Sequence, residues 1–264
     1  MSGVSLGERS GFFGSNLPFA MAVGLGVVPG ASRVVLLGHN PDIDIATQPE
    51  DVWEGGGLYP FLAAAATLAV NSSSAADTAA GTGARTVLVS GLNSSYNTVT
   101  ETVTLNGTTP VNTVNQFLRV NLFTTTSSGS GTVNAGDITL RVTGGGTIQG
   151  IIAAGYGFGR AAIYTVPAGF TLFITSAVFS VLQQGVDNLA TFGIAQRSST
   201  GNLRIPIEFQ VSSNVPYYHR TDEGIVFPEK TDVMLRVTST AQADSEFVAA
   251  AAGILFNNTQ LTGM

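Results

Sequence analysis

From about residue 85 onward, the chain alternates short runs of β-branched and aromatic residues with stretches rich in Gly, Asn, Ser and Thr. Runs of about four to eight such residues between turn formers are typical of β-strands. A series of short strands at this spacing favours antiparallel β-sandwich or jelly-roll units. The predicted fold class is therefore all-β, with strands at 85–89, 98–105, 117–125, 138–142, 161–166, 171–182, 189–195, 204–211, 233–238 and 247–256.

Turn-forming residues set the expected connections between these strands. Asn106-Gly107 follows the run 98–105 and predicts a tight hairpin, because this pair readily adopts the positive φ of a type I′ turn. Pro167-Ala168-Gly169 predicts another turn between two strands. The Gly-rich stretch 143–147 predicts a seam between domains, and the Ala-rich stretch 62–70 is the one helical candidate.

The first 60 residues have a different character, because Gly and Pro interrupt them often and neither a strand nor a helix period persists. They nevertheless carry large apolar side chains, which a free tail in water does not tolerate. We therefore expect an extended N-terminal arm over 1–60, with a short strand at 33–37, that docks on a neighbour or on its own body. The arm residues predicted to bind a partner are Phe12, Phe13, Leu17, Phe19 and Trp53.

The chain has 264 residues, which is long enough for one large β domain or two smaller ones. With the seam as the boundary, the predicted β-rich domains are 61–146 and 147–264. The apolar stretch 18–37 is interrupted by Gly, Pro and Arg, so it does not have the length of uninterrupted apolar sequence that a membrane span needs. No contact with a membrane is expected.

Charged residues make up only 11% of the chain, against about 25% in an ordinary soluble domain. The surface is therefore polar without being charged, and such a surface repels its neighbours weakly. We expect stable self-association, and the expected assembly is a homotrimer. The net charge of −6 and the scattered Lys and Arg argue against binding to nucleic acid.

No arrangement of catalytic groups is visible in the sequence. The chain has two histidines, His39 and His219, and no Cys, which excludes thiolate chemistry and thiolate metal sites. Neither histidine has a specific carboxylate or nucleophile near it in sequence. Asp42 and Asp44 lack the Gly and Glu spacing of a calcium loop, and fit an edge strand with its charged face in water. The expectation is a non-catalytic protein without cofactor or bound metal.

Six stretches carry a resemblance to a known family, at 51–61, 72–86, 101–108, 154–157, 162–169 and 228–236. The first reads Asp-Val-Trp-Glu-Gly-Gly-Gly-Leu-Tyr-Pro-Phe, and the last reads Pro-Glu-Lys-Thr-Asp-Val-Met-Leu-Arg. Over roughly residues 51–256, the chain resembles virion structural proteins of tailed bacteriophages. The resemblance implies a β-rich particle protein of the capsid decoration or cement type, often trimeric, and it carries over no catalytic residue.

The resemblance also implies the partners and the location. The expected partner is the major capsid protein or another virion protein, and the expected place is the capsid exterior after assembly in the host cytoplasm. A tail, neck or head-fibre component is the close alternative. A rival of another class is a carbohydrate-active or carbohydrate-binding β-sandwich, either a host-recognition module or a depolymerase. Trp53, Tyr217 and Tyr218 would supply aromatic contacts for its binding site. The single Trp and the scarcity of clustered acids argue against that rival.

Overall fold

The computed structural model describes residues 18–182, 189–213 and 215–261, apart from the side chains of residues 222, 223 and 261. The strands are β1 (Ala31–Ile43), β2 (Glu50–Asp51), β3 (Ala66–Ser72), β4 (Ala84–Leu92), β5 (Thr98–Thr104), β6 (Val111–Phe117), β7 (Arg119–Ser128), β8 (Ile138–Val142), β9 (Ile148–Ile152), β10 (Ile163–Thr165), β11 (Phe170–Leu182), β12 (Leu189–Arg197), β13 (Leu203–Ser212), β14 (Tyr217–Phe227), β15 (Asp232–Thr240) and β16 (Ser245–Asn257). The helices are α1 (Phe19–Gly24) and α2 (Asn258–Leu261). Paired strands are antiparallel throughout the described part, which confirms the all-β prediction.

Eight strands, β1 and β10 to β16, build a sandwich of two sheets. The β1 sheet has the order β1-β16-β11-β14, and the β10 sheet has the order β10-β15-β12-β13, with β2 added beside β15. If the eight strands are counted along the chain, these orders become 1-8-3-6 and 2-7-4-5. This is the strand order of an eight-stranded jelly roll, so the jelly-roll prediction is confirmed for this part of the chain.

Alternate residues of the jelly-roll strands point between the two sheets and form its core, as the two-residue period of a strand requires. The ring of Phe192 on β12 lies 4.9 Å from that of Phe179 on β11 and 5.4 Å from that of Phe247 on β16. All three side chains are fully buried. Aromatic pairs of this kind add about 0.5–1.5 kcal/mol beyond the burial of their area, so they hold the two sheets together.

The chain between β2 and β10 forms a second sandwich, the inserted lobe (residues 66–152). Its two sheets have the orders β6-β3-β8-β9 and β5-β4-β7. Its core is separate from that of the jelly roll and contains the fully buried Phe117, Leu68, Leu140 and Ile152. The inserted lobe is therefore continuous in sequence, whereas the jelly roll is split into one strand before the lobe and seven after it.

The expected arm over 1–60 is corrected by the position of β1. The predicted strand 33–37 exists, but it is part of a strand of 13 residues that pairs with β16 from Ala31 to Ile43. Val34 and Leu36 point into the jelly-roll core, where burial of each apolar side chain contributes about 1.5–3 kcal/mol. The many Gly and Pro residues around this strand concealed a core strand, so residues 31–60 belong to the body.

Three local predictions are also corrected. Residues 62–70 are not helical, because β3 starts at Ala66 and lies between β6 and β8. Asn106-Gly107 does not close a hairpin, because β5 pairs with β4 and β6 pairs with β3 in the other sheet. The stretch 143–147 is no seam, because it is the turn between the paired strands β8 and β9. The turn at 167–169 is confirmed, with Phe170 N donating to Pro167 O.

Candidate interaction surfaces and buried polar joints

Asp232, at the start of β15, is the centre of a buried joint between the jelly roll and the inserted lobe. It accepts two hydrogen bonds from Arg119, which begins β7 of the lobe. Its Oδ2 also accepts one from Arg197 Nη2 at 2.7 Å, and its Oδ1 accepts one from the Thr165 hydroxyl at 2.7 Å. Both guanidinium groups lie over the Phe61 ring, at 5.0 Å for Arg119 and 4.2 Å for Arg197. This carboxylate thus links the lobe to the jelly roll.

Asp51 on β2 forms a second buried joint, inside the jelly roll. Its Oδ1 accepts from Arg236 Nε at 2.7 Å, and its Oδ2 accepts from Arg236 Nη2 at 3.1 Å and from Tyr59 N at 2.8 Å. The Tyr59 hydroxyl donates to Gln149 O of the lobe at 2.8 Å. Burial raises the pKa of the Tyr59 phenol well above its usual value, so the hydroxyl stays protonated and donates.

Asp77 ties together two loops at one end of the inserted lobe, the β3–β4 loop and the β7–β8 loop. Its Oδ1 accepts from Ala84 N at 2.7 Å and Ala135 N at 2.8 Å. Its Oδ2 accepts from Gly136 N at 2.9 Å and from the Ser72 hydroxyl at 2.6 Å. With all four bonds made, this fully buried carboxylate has its desolvation offset by hydrogen bonds.

These joints contain residues that sequence reasoning missed. Asp51, Asp77 and Asp232 are all buried, and each lies inside one of the stretches that resemble the phage family. A signal existed for Asp232 and Arg236, because charged residues that flank an apolar run within one strand are rarely buried unless paired. The three aspartates therefore serve to hold the fold together.

Trp53, predicted to contact a partner, is part of the protein's own core. Its side chain is only 4% exposed, its Nε1 donates to Gly57 O at 3.1 Å, and its ring meets the edge of Tyr59 at 5.0 Å. The joint at Asp51 anchors this segment against the jelly roll, which is why the indole turns inward. The prediction for Trp53 is therefore wrong. Phe12, Phe13 and Leu17 lie outside the described residues.

Phe19 is the predicted partner-binding residue that the structure leaves exposed. It belongs to α1, where its ring stacks on Phe256 of β16 at 5.9 Å. Four large apolar side chains in and after α1 are 50% to 57% exposed, and they form what we call the α1 surface: Phe19, Met21, Leu25 and Val27. A helix with apolar residues on its open side is typical of a segment that another surface covers. Within the described residues, no helix has the length and apolar character needed to span a bilayer.

His39, which has no specific carboxylate near it in sequence, is buried beside two carboxylates in the fold. Its Nδ1 lies 3.1 Å from Glu54 Oε1, and its Nε2 lies 2.8 Å from Glu246 Oε1. Glu54 also pairs with Arg160, whose guanidinium lies 3.8 Å from the centre of the Tyr156 ring. Both ring nitrogens of His39 thus have a carboxylate partner. The cluster joins β1, β16 and the segment that returns from the lobe.

Asp42 and Asp44 lie at the end of β1, where the fold brings Asp244 to them. Carboxylate oxygens of the three residues lie within 4.8 Å of one another, and Asp244 N donates to Asp44 Oδ1 at 2.7 Å. Lost hydration raises the pKa of Asp42, and the charges of Asp44, Asp244 and Glu50 raise it further. Asn40, which precedes them in sequence, is buried and donates to Glu50 instead. The cluster is an exposed group of like charges.

A cleft of about 250 Å³ lies between β1 and the inserted lobe. Val35 and Leu37 of β1 line one side, and Leu122 and Phe158 line the other. Three of these side chains are substantially exposed: Val35, Leu122 and Phe158. Sequence reasoning did not find this cleft, because its two walls come from parts of the chain about 90 to 120 positions apart.

Comparisons with known proteins give no family for this chain. No protein-family model matches it, and no curated protein matches it. A structure of infectious bursal disease virus, Gt strain, is 13% identical and covers 91% of this chain and 78% of that chain, with a TM-score of 0.24. The VP2 subviral particle of the same virus is 12% identical and covers 89% and 74%, with a TM-score of 0.25. At such TM-scores, the similarity supports no conclusion about this chain.

Proposed function

We propose that this protein is a non-catalytic structural component of a virus particle, and that it is a capsid decoration or cement protein of a tailed bacteriophage. It binds the major capsid protein or another virion protein on the head exterior and stabilises the shell through protein contacts. The proposed assembly is a homotrimer formed in the host cytoplasm. The observation that carries the proposal is a jelly-roll body with an exposed apolar α1 surface.

The fold and the surface support this proposal together. Jelly rolls occur in viral capsid proteins, but also in lectins and cupins, so the fold alone does not select a function. The α1 surface adds the need for a covering partner, and the chain has few charges to keep neighbours apart. The buried joints at Asp232 and Asp51 give the body one fixed shape, which suits repeated docking on a shell.

Two of the three aromatic residues that the carbohydrate-binding alternative needs do not face solvent. Trp53 is buried, and Tyr217 points between the sheets, where its ring packs 4.9 Å from that of Phe209. Tyr218 alone is openly exposed, at 76%. Sugar sites commonly present aromatic faces to the ligand, so the described residues favour protein binding over sugar binding.

The test is cosedimentation of the purified protein with particles assembled without it, followed by reconstruction of the decorated particles. We expect density on the head exterior and saturable binding. A variant with Met21→Glu and Leu25→Glu in the α1 surface should bind at least tenfold more weakly, whereas Val226→Glu on β14 serves as the matched control. Density confined to tail, neck or fibres would favour the close alternative, and binding to a glycan array without particle binding would overturn the proposal.

A further inference from the structure

Strand β1 is an edge of the β1 sheet, and part of that edge is open. His39 N donates to Arg160 O, at 3.4 Å, so the backbone groups of His39 point away from β16. Alternate residues of a strand turn these groups to the same side, and the pairing with β16 has no register shift from Ala31 to Asn40. The N–H and C=O groups of Arg33, Val35 and Leu37 therefore point outward, and the described residues give them no partner.

The cleft between β1 and the lobe lies directly beside this open edge. Val35 and Leu37 contribute to both, and Leu122 and Phe158 face them from the lobe side. Because the cleft has two walls, a segment that pairs with β1 would also contact the lobe side. Such a segment would bond to the outward groups of β1 and bury Val35, Leu122 and Phe158.

An exposed edge strand normally carries features that prevent pairing, such as charges, Pro or a bulge. The open stretch Ala31–Leu37 has no Pro and only one charged residue, Arg33, and its pairing with β16 is regular. This edge therefore has the properties of a strand that is covered in the working protein.

We propose that residues 1–17 of this chain occupy the open edge of β1 as an antiparallel strand. The described chain starts at Pro18, and Phe19 stacks on Phe256, which pairs with Ala31 at the start of the edge. Seventeen residues span up to about 56 Å when extended, and the open stretch is only about 20 Å long. The segment has one Glu and one Arg, so charge does not oppose its approach.

The apolar residues of the segment match the cleft in chemistry. Phe12 and Phe13 are adjacent, so in a strand one of them points to each face, and either can fill the space between Leu122 and Phe158. The proposal does not depend on the virion assignment, because it concerns two parts of the same chain and is tested on purified protein.

The test is amide hydrogen exchange of the full chain, read residue by residue. In the wild type, the amides of Val35 and Leu37 should be protected. The double variant Phe12→Asp, Phe13→Asp should speed their exchange at least tenfold. The amides of Val34 and Leu36 point toward β16 and should not change, which makes them an internal control. A synthetic peptide of residues 1–17, added to the double variant, should restore the protection.

Two further variants separate the cleft from the rest of the surface. Leu122→Glu on the lobe side of the cleft should speed the exchange of the Val35 and Leu37 amides, as the double variant does. Val226→Glu on the opposite edge strand should leave their exchange unchanged. Fast exchange of these two amides in the wild type would overturn the proposal. Protection that survives both Phe12→Asp, Phe13→Asp and Leu122→Glu would also overturn it, because the occupant would then be another surface.

Discussion

Arg119 of the inserted lobe and Asp232 of the jelly roll form a two-pronged ion pair, with Nε to Oδ1 at 2.7 Å and Nη2 to Oδ2 at 3.1 Å. The two side chains are 8% and 3% exposed, so solvent screens the pair little. Asp232 also accepts from Arg197 and Thr165, so it is the one carboxylate that these three side chains share.

Replacement of Asp232 should strongly lower the stability of the protein. We expect Asp232→Asn to lower the free energy of unfolding by about 3–5 kcal/mol, because it leaves the buried Arg119 charge without a counter-charge. Urea unfolding followed by circular dichroism measures this. The matched control is Asp137→Asn, an exposed acid that accepts one bond from Ala154 N, with an expected cost of about 1 kcal/mol. Equal effects of the two changes would contradict the central role of Asp232.

Replacement of Trp53 and replacement of Phe19 should lower stability by different amounts, although both are apolar residues within the first 60. Trp53→Ala should cost about 3–5 kcal/mol of stability, because it empties a packed site in the core. Phe19→Ala should cost under about 1.5 kcal/mol, because half of that side chain is already in water. Chemical unfolding followed by far-ultraviolet circular dichroism compares them. If Trp53→Ala lowers the stability only slightly, Trp53 would again be a candidate for binding a partner.

The acidic cluster should make Asp42 an unfavourable charge. Its folded pKa is raised above the ordinary value of 3.8, so the fold disfavours the ionised form and loses stability as pH rises through this range. Asp42→Asn should therefore raise the melting temperature slightly at pH 7, and the gain should shrink below pH 3.8, where the carboxyl is protonated. Glu208→Gln, an exposed acid on β13, is the control and should give no such gain. A lower melting temperature for Asp42→Asn at pH 7 would refute the prediction.

Tyr164 should make the protein sensitive to alkali. Burial raises the pKa of this phenol to about 12 from 10.0, so between these values the unfolded chain ionises and the folded chain does not. Tyr164 should contribute roughly 2 kcal/mol to the loss of stability from pH 9.5 to pH 12, and Tyr164→Phe should remove that part of the loss. Denaturation midpoints at the two pH values measure this. The control Tyr218→Phe, at a 76% exposed position, should keep the full loss.

Regular patterns in the sequence predicted much of the fold. The run 138–142 coincides with β8, and the runs 171–182 and 189–195 fall within one residue of the start of β11 and β12. These strands have one face in the core and turn formers at their ends, so local sequence and burial agree. Segment 62–70 failed because Ala favours a helix locally, while the sheet between β6 and β8 decides its conformation.

The candidate sites could not be predicted in the same way. Arg119 and Asp232 are 113 positions apart, and no local pattern links them. Val35 and Leu122 meet across the cleft only because the lobe is inserted after the first jelly-roll strand. Residue type predicted Phe19 as an exposed contact, but the same reasoning misplaced Trp53, since apolar character does not distinguish a partner from the protein's own core.

The pairing of β1 with β16 can form only late in synthesis, because the two strands lie far apart in the sequence. Arg33 pairs with Ile254. At about 5–20 residues per second, the ribosome needs roughly 10 to 40 s to extend the chain from the first of these residues to the second. The inserted lobe, which is continuous, can fold during that interval. A circular permutant that starts at residue 64, before the lobe, and links residue 261 to residue 30 would bring β1 directly after β16 and keep the lobe continuous. It should refold faster because the β1–β16 contacts are then closer in sequence.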